Sequence, residues 1–245
     1  MGVPVVLLDE VDSTNTYVKT HFDELPDGSL VSAACQTAGR GRLNRRWQSP
    51  HGVNFYGTAV LKNCPDPFRA IIALSLAAID TLKELAPSLP VYIKWPNDLY
   101  VGRAKLAGML CESVTGPGNR IRGIAAGIGV NLNMTPEDLA SIDQTATGVM
   151  AQTGVRINPV FFTKKLAFYL ERRYINYSKS PEELFAEWKA NNRLIGKTLR
   201  VEGIRGAREG VFEDVADTGE MLLRTRDGLE KVNSGDVVID KQSLT

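Results

Sequence analysis

The sequence predicts an α+β chain that ends in a small β-barrel, and three observations carry that expectation. Strand-like and helix-like stretches alternate over the first 135 residues, a long stretch of helical periodicity covers about 159–191, and after Asn192 the texture changes to short alternating strands. Taken in order, VPVVLLDEV (3–11) reads as a strand, and Asp12 or Ser13 can cap a short helix through Tyr17 to His21. SLVSAACQ (29–36) and NFYGTAVLK (54–62) are β-branched or aromatic runs between turn signals. From Asp66 to Leu85 the residues Phe68, Ile71, Ile72, Leu74, Leu76, Ile79, Leu82 and Leu85 recur at helical spacing and stop before Pro87. VYIKW (91–95) is a short buried strand ended by Pro96, and DLYVGRAKLAGMLCESV (98–114) is a hairpin turning near Gly102-Arg103. After the loop TGPGN, IRGIAAGIGVNLN (121–133) is a further strand. The helix from Pro159 to Asn191 is broken near its middle by Pro181, which lacks the backbone donor that a helix interior needs. The remaining segment turns at Asp217-Thr218-Gly219 and Asp227-Gly228, which is the pattern of a barrel of about fifty residues. The expected boundary separates residues 1–193 from 194–245.

Composition excludes several classes. The 245 residues are 43% hydrophobic and 23% charged, with 29 Lys+Arg against 28 Asp+Glu and a net charge of +1. That is too apolar and too balanced for a disordered chain, and it lacks the cationic excess of proteins that wrap phosphate backbones. Cys35, Cys64 and Cys111 are too few and scattered for a disulfide framework, and their odd number fits a reducing, cytoplasmic setting. With only His21 and His51, histidine metal sites and Ser-His-Asp arrangements have no inventory. The N-terminus has no basic region before its acidic residues, Val6 stands where a myristoylation motif needs Ser or Thr, and the apolar run 70–79 is half the ~20 residues of a membrane span.

Four segments carry more chemistry than folding requires. In QTAGRGRLNRRW (36–47), four arginines, one tryptophan and three residues that tolerate positive φ (Gly39, Gly41, Asn44) sit between two strands. Such a loop can bring guanidinium groups and amides to an anion and lay a ring on a planar group, although a solvated basic loop or a nucleic-acid patch has the same composition. It is not a dinucleotide fingerprint, because the spacing ends in Asn44 and no helix follows. KWPNDL (94–99) puts a cation, an amide and a carboxylate at a strand end, a set that suits phosphate with Mg²⁺; alone, Pro-Asn-Asp is an ordinary turn. Lys105 in RAKLAG (103–108) and the glycines of GIGVNLN (127–133) complete the set, the latter marking a bulge, a twist or a closely approaching ligand.

Read jointly, Asp12-Ser13-Thr14-Asn15, Gln36 with the arginine loop, KWPND, GRAKLAG and GIGVNLN closely resemble the biotin–protein ligases in order and spacing, over essentially the whole chain. The resemblance implies a mixed-sheet catalytic domain with helices packed on one face (the class II synthetase-like, biotin–lipoate ligase fold) followed by an SH3-like barrel. It implies that biotin and ATP react to biotinyl-5′-AMP and pyrophosphate, with Mg²⁺, before biotin passes to a lysine of a biotin carboxyl carrier protein. By that resemblance Ser13, Thr14, Asn15 and Gln36 surround the ureido and ring atoms, and Gly39, Arg40, Gly41 and Arg42 belong to a loop that folds over biotin. Gly127 and Gly129 line the biotin pocket through backbone. Lys105 contacts the carboxylate and α-phosphate and, with Arg42, is catalytic. Arg45, Trp47, Lys94, Asn97 and Asn131 attend the nucleotide, and Asp98 the metal. The family often has glycine where this chain has Asn44, and asparagine also tolerates the left-handed region.

Members of this family commonly carry an N-terminal helix-turn-helix and act as repressors. Here the first catalytic strand begins almost at Met1, so the expectation is a ligase without repressor function, nucleic acid or membrane among its partners. Monomer and homodimer both stay open. The rival readings are a lipoate–protein ligase with the same fold, a nucleic-acid module built on Arg40, Arg42, Arg45 and Arg46, and a C-terminal barrel that serves only as an adaptor.

Overall fold

The computed structural model describes residues 3–203, 206–233 and 235–238. Its first part is a seven-stranded sheet built from β1 (Val5–Val11), β2 (Leu30–Gln36), β3 (Phe55–Leu61), β4 (Val91–Lys94), β5 (Asp98–Val101), β6 (Ala104–Thr115) and β7 (Ile121–Val130), in the order β1-β2-β3-β7-β6-β5-β4. β1 and β2 are parallel and the other pairs antiparallel, so the sheet is mixed as expected. A parallel pair cannot be joined by a tight turn. The crossover here contains α1 (Thr14–Thr20), whose start next to the strand end Val11 is set by Ser13 in extended backbone.

The 19-residue α2 (Pro67–Leu85) starts where Asp66 accepts the Arg69 amide at 2.9 Å and Pro67 occupies the first turn, which needs no amide donor there. Two short helices that periodicity did not mark follow β7: α3 (Pro136–Ala140), closed by a Thr135/Asp138 capping box, and α4 (Val149–Thr153). The expected break at Pro181 divides the next helical stretch into α5 (Pro159–Lys179) and α6 (Pro181–Ala190).

Strand alternation assigns the two faces of the sheet. Leu30, Phe55, Ala59, Ala126, Ile128 and Met109 face α2 and α5, where Phe55 and Phe162 meet with ring centroids 5.1 Å apart. Each such buried side chain contributes about 1.5–3 kcal/mol, and this layer dominates the core. On the opposite face Val31, Val60, Val114 and Ala125 pack on Val18 of α1 and on Phe22 and Leu25 beyond it. The long helices thus share one face, while the short α1 covers part of the other and leaves the rest of that face open. The open part carries Thr58, Gly108, Gly127 and Gly129, paired across β3, β7 and β6.

The C-terminal part is a five-stranded antiparallel sheet of β8 (Thr198–Gly203), β9 (Gly206–Val215), β10 (Met221–Thr225), β11 (Gly228–Val232) and β12 (Asp236–Val238), ordered β11-β10-β9-β8-β12. Its interior is Leu199, Val201, Phe212, Val215, Met221, Leu223, Val232 and Val237. The expected strand through Asp240 runs beyond the described residues. The indole of Trp95, 1% exposed, donates to the Gly219 carbonyl at 2.9 Å and faces Phe212, which seats this sheet against the KWPND turn.

Candidate active site

Two adjoining clefts lie on the open face. One is lined by Ser13, Thr14, Asn15, Gln36, Arg40, Arg42, Asn97, Gly127 and Gly129; the other by Gln48, Tyr100, Arg103, Asn131 and the loop 142–146. Arg45, Arg46, Trp47, Lys94, Asp98, Lys105 and Asp236 line both, so the residues of highest charge stand where the clefts meet.

The closed end of the first cleft is a buried polar network. Ser13, Thr14 and Asn15 are all at most 5% exposed. Gln36 Oε1 accepts from the Thr14 amide at 3.0 Å and from its hydroxyl at 3.2 Å, and Gln36 Nε2 donates to Ser49 Oγ at 3.0 Å. Thr58 Oγ1 lies 2.8 Å from Thr14 Oγ1 and 2.6 Å from Asn15 Oδ1. Buried polar groups persist only when paired, so this end of the cleft holds fixed hydrogen-bonding groups toward a polar ligand.

The arginine loop is a folded hairpin. Trp47 N donates to Gly39 O at 2.9 Å, Arg40 bridges to Arg46, and Gly41 N donates to Arg45 O at 2.7 Å, with a 3₁₀ turn at Arg42–Asn44 as its tip. Three of its guanidinium groups turn inward. Arg42 Nη1 donates to Asn97 Oδ1 at 2.7 Å across the cleft mouth, Arg40 Nη2 to Glu112 at 3.2 Å, and Arg45 pairs with Asp236 of β12.

The residues of this loop that tolerate positive φ are not where it is used. Gly41 is extended at φ −112°, and the residue at positive φ is Leu43 at +55°. Gly39 is required by close approach instead, because a Cβ there would lie 2.6 Å from Trp47 O. The Asn44 side chain is outside the described residues. Similarly, Gly127 and Gly129 mark no bulge, since the β3–β7 register runs unbroken through them. A Cβ on Gly127 would lie 2.1 Å from Asn15 Oδ1, and one on Gly129 would lie 2.4 Å from the Trp47 ring. Trp47 lies flat over the strands, and its buried Nε1 has no partner.

Lys105 Nζ is 3.0 Å from Asp98 Oδ1, close enough for an ion pair but at an angle too poor for a hydrogen bond. It also stands 5.6 Å from the Trp47 ring. Lys94 reaches Tyr100 Oη at 3.2 Å. Burial pulls the Lys94 ammonium below the usual lysine range, more than Asp98 and Asp236 restore. Asn97 is held by its own donation to Met109 O at 2.6 Å. Asn131 is 3% exposed and spends its Nδ2 on Thr147 O at 3.0 Å. The Lys105 backbone pairs with Thr145 and Thr147, so Asn131 and Lys105 together strap the loop 142–146 beside the second cleft.

All the expected site residues therefore line, or directly support, the two clefts. Sequence reasoning missed Ser49, Thr58, Glu112, Tyr100, Asp236 and the loop 142–146. Glu112 had a signal, the one carboxylate of an otherwise largely apolar strand; Thr58 and Asp236 had none, because only the folded sheet and the docked C-terminal part bring them here. Both histidines lie outside, His51 paired with Asp9 and His21 with Glu24 at the surface.

A cleft with a fixed polar end, a cationic junction and an arginine-rich cover suits a polar acid joined to a phosphate-bearing partner. Comparison with known proteins agrees. Residues 7–131 match the Biotin/lipoate A/B protein ligase family and residues 194–240 the Biotin protein ligase C terminal domain. The chain is 32% identical to the biotin–[acetyl-CoA-carboxylase] ligase of Paracoccus denitrificans, over 94% of this chain and 98% of that one. It is 36% identical to the bifunctional ligase/repressor BirA of Escherichia coli K12, over 94% and 72% respectively. The fold superposes on the biotin protein ligase of Aquifex aeolicus in complex with biotin and ATP with a TM-score of 0.79 at 25% identity, covering 96% and 97% of the two chains. The chain is thus a ligase that belongs to the biotin/lipoate A/B protein ligase family.

Proposed function

We propose that this enzyme activates biotin with ATP and transfers it to a specific lysine of a biotin carboxyl carrier protein. The observation that carries this reading is the meeting of two clefts at Lys105, Lys94 and Arg45 beneath an arginine loop. A biotin carboxylate oxygen attacks the α-phosphorus, the bond to the β-phosphate breaks, and pyrophosphate leaves. The acceptor amine then attacks the acyl carbon, loses a proton, and AMP departs. The first step joins an anion to a polyanion, so it needs fixed cations rather than a general base, since the carboxylate is already ionised at neutral pH.

In this reading Ser13, Thr14, Asn15 and Gln36 hold biotin's ureido ring over Gly127, and Lys105 neutralises charge between the carboxylate and the α-phosphate. Arg42, anchored on Asn97, keeps the adenylate in and water out, with Gly39, Arg40 and Gly41 shaping that cover. Trp47 and Arg45 attend adenine and phosphates in the second cleft, with Lys94, and Asn131 acts through the loop it straps. Mg²⁺ would arrive with ATP and screen its phosphates. Asp98, which lines both clefts, would be its carboxylate ligand; no group of three His, Cys, Asp or Glu side chains gathers among the described residues, so phosphates and water would complete its shell.

Residues 1–193 would form the catalytic part and 194–245 the barrel. Three unpaired cysteines support a reducing cytoplasm as its setting, and no described helix is long and apolar enough to cross a membrane. If two copies pair, β1 is the available edge, because β4 is already covered at Ile93 by Asn191 and Asn192. The inward pairing of Arg40, Arg42 and Arg45 argues against the nucleic-acid reading.

The test is incubation of the full chain with ATP, Mg²⁺, a carrier domain and either biotin or lipoate. Pyrophosphate release with biotin and a single biotinylated lysine are expected. Release with lipoate alone would replace this reading with the lipoate ligase.

A further inference from the structure

Glu112 sits on β6 with three partners that belong to different parts of the molecule. Its carboxylate accepts from Asn15 Nδ2 at 2.8 Å and from Lys19 Nζ at 3.2 Å, both of α1, and from Arg40 Nη2 of the arginine loop at 3.2 Å. An ionised carboxylate only accepts hydrogen bonds, so it can face the NH₂ end of the Asn15 carboxamide and not the oxygen. The other Nδ2 hydrogen goes to Leu110 O at 2.9 Å, again an acceptor. Turning the amide over would set its oxygen against two acceptors in a place 5% exposed and leave buried polar groups unpaired. The amide orientation is therefore decided by the network. With Nδ2 committed, Asn15 Oδ1 receives Thr58 Oγ1 at 2.6 Å, lies where a Cβ on Gly127 would fall, and keeps a second lone pair on the wall of the first cleft. That lone pair calls for a ligand N–H.

We propose that Glu112 is a positioning residue that sets the ligand specificity of this site: it holds the Asn15 carboxamide as an acceptor for a ring N–H and anchors Arg40, so that the loop closes against the same carboxylate. The inference rests on the biotin reading above, in which that donor is a ureido N–H. Burial pushes the Glu112 carboxyl upward, but the Asn15 hydrogen bond and the Arg40 and Lys19 charges outweigh it and hold the group below the usual glutamate range, so it is ionised at neutral pH. A carboxylate that merely pinned α1 to β6 would need only Lys19. The additional donors come from the residue that faces the ligand and from the loop that covers it.

Two substitutions in the full-length enzyme separate these duties. Glu112→Met removes the acceptor at similar volume and frees the Asn15 amide to turn; Glu112→Gln keeps one acceptor oxygen but loses the charge that Arg40 needs. Binding is measured for biotin and for biotin methylated on either ureido nitrogen. The wild type should reject one methylated isomer by about 100-fold or more. Glu112→Met should weaken biotin by about tenfold or more, as for loss of a hydrogen bond to a charged group, and reduce the rejection to below about tenfold, with KM for ATP within about threefold of wild type. Glu112→Gln should keep the rejection while releasing the adenylate at least about fivefold faster, and adding Arg40→Ala should not accelerate that release further. Wild-type discrimination in Glu112→Met overturns the specificity role. Should that variant fail to fold, wild-type adenylate retention in Glu112→Gln overturns the proposal by itself. A wild-type enzyme that binds no biotin overturns the functional reading first, whereas biotin binding unchanged by both variants removes Glu112 alone.

Discussion

Lys105 and Asp98 share a charge pair over 3.0 Å with each side chain less than one-fifth exposed, and the absence of a proper hydrogen bond leaves the ammonium free to turn to a stronger anion. An acyl carboxylate and an α-phosphate are such anions. Lys105→Ala should lower adenylate formation by about 10²–10³-fold, the usual cost of one preorganised charge-stabilising donor, with unchanged circular dichroism. Pyrophosphate release within tenfold of wild type would remove Lys105 from the reaction. Arg42 spans the mouth by one bond to Asn97, and a hydrogen bond to a charged group is worth about 1.5–3 kcal/mol. Arg42→Gly should accordingly let biotinyl-AMP escape about 10- to 100-fold faster, visible as label on bystander lysines; retention like wild type would end its role as cover. Lys94 adds a pH signature. Its ammonium is depressed by burial, so as pH rises the folded state loses this proton before the unfolded chain does, and stability recovers between the two values. The charge offered to phosphate is lost over the same range. The alkaline limb of pyrophosphate exchange should begin below the ordinary lysine range, and Lys94→Arg should move it upward; coincident limbs would show that another group sets it.

Among the elements, the most consequential junction is the turn between β9 and β10. Gly219 has φ +96°, accepts the Trp95 indole N–H, and lies so close to α2 that a Cβ would come 2.7 Å from the Phe68 ring. Backbone strain and a steric conflict act together at one position. Gly219→Val should cost about 2 kcal/mol, which for a chain of this size lowers the melting temperature by roughly 4–8 °C. Calorimetry checks this, and an unchanged melting temperature would mean that the C-terminal sheet does not depend on this seat. By contrast α1, only seven residues long, draws its stability from packing Val18 on Val31, Val60 and Ala125 of the sheet and from Gln36, which accepts its first amide. A helix this short is marginal alone, so its position is a property of the sheet.

At the scale of the whole molecule, the C-terminal sheet completes the site by contributing Asp236 to both clefts, where it pairs with Arg45. Both side chains are about half exposed, so screening limits the pair to at most about 1 kcal/mol. Asp236→Asn should therefore raise KM for ATP by less than about fivefold, leave biotin affinity unchanged, and lose its effect at high salt. A tenfold change, or one that salt does not weaken, would mean that Asp236 touches the nucleotide directly. The +1 balance also has a spatial meaning: two of the four arginines of the cationic loop are paired from within, Arg40 by Glu112 on the sheet and Arg45 by Asp236 on the C-terminal part.

Much of this was legible in the linear sequence. Strand and helix periods, the helix break at Pro181, the change of texture after Asn192 and the clustered arginines are local signals, because a hydrophobic period or a fixed φ acts within a few residues. The short helices at Pro136 and Val149 escaped notice because each is too short to show a period. The same locality explains what the sequence left open in the site. Gly39, Gly127 and Gly129 are glycine because Trp47 and Asn15 press on them from elsewhere in the chain, not because their own backbone needs unusual freedom. Thr58, Glu112 and Asp236 join the site only through strand register and the docking of the C-terminal sheet, contacts that span tens to nearly two hundred residues. By itself the sequence determined which chemistry was available, cations without histidine; the tertiary structure alone decided which carboxylate and which amide face each of them, because hydrogen bonds depend on distances that only packing sets.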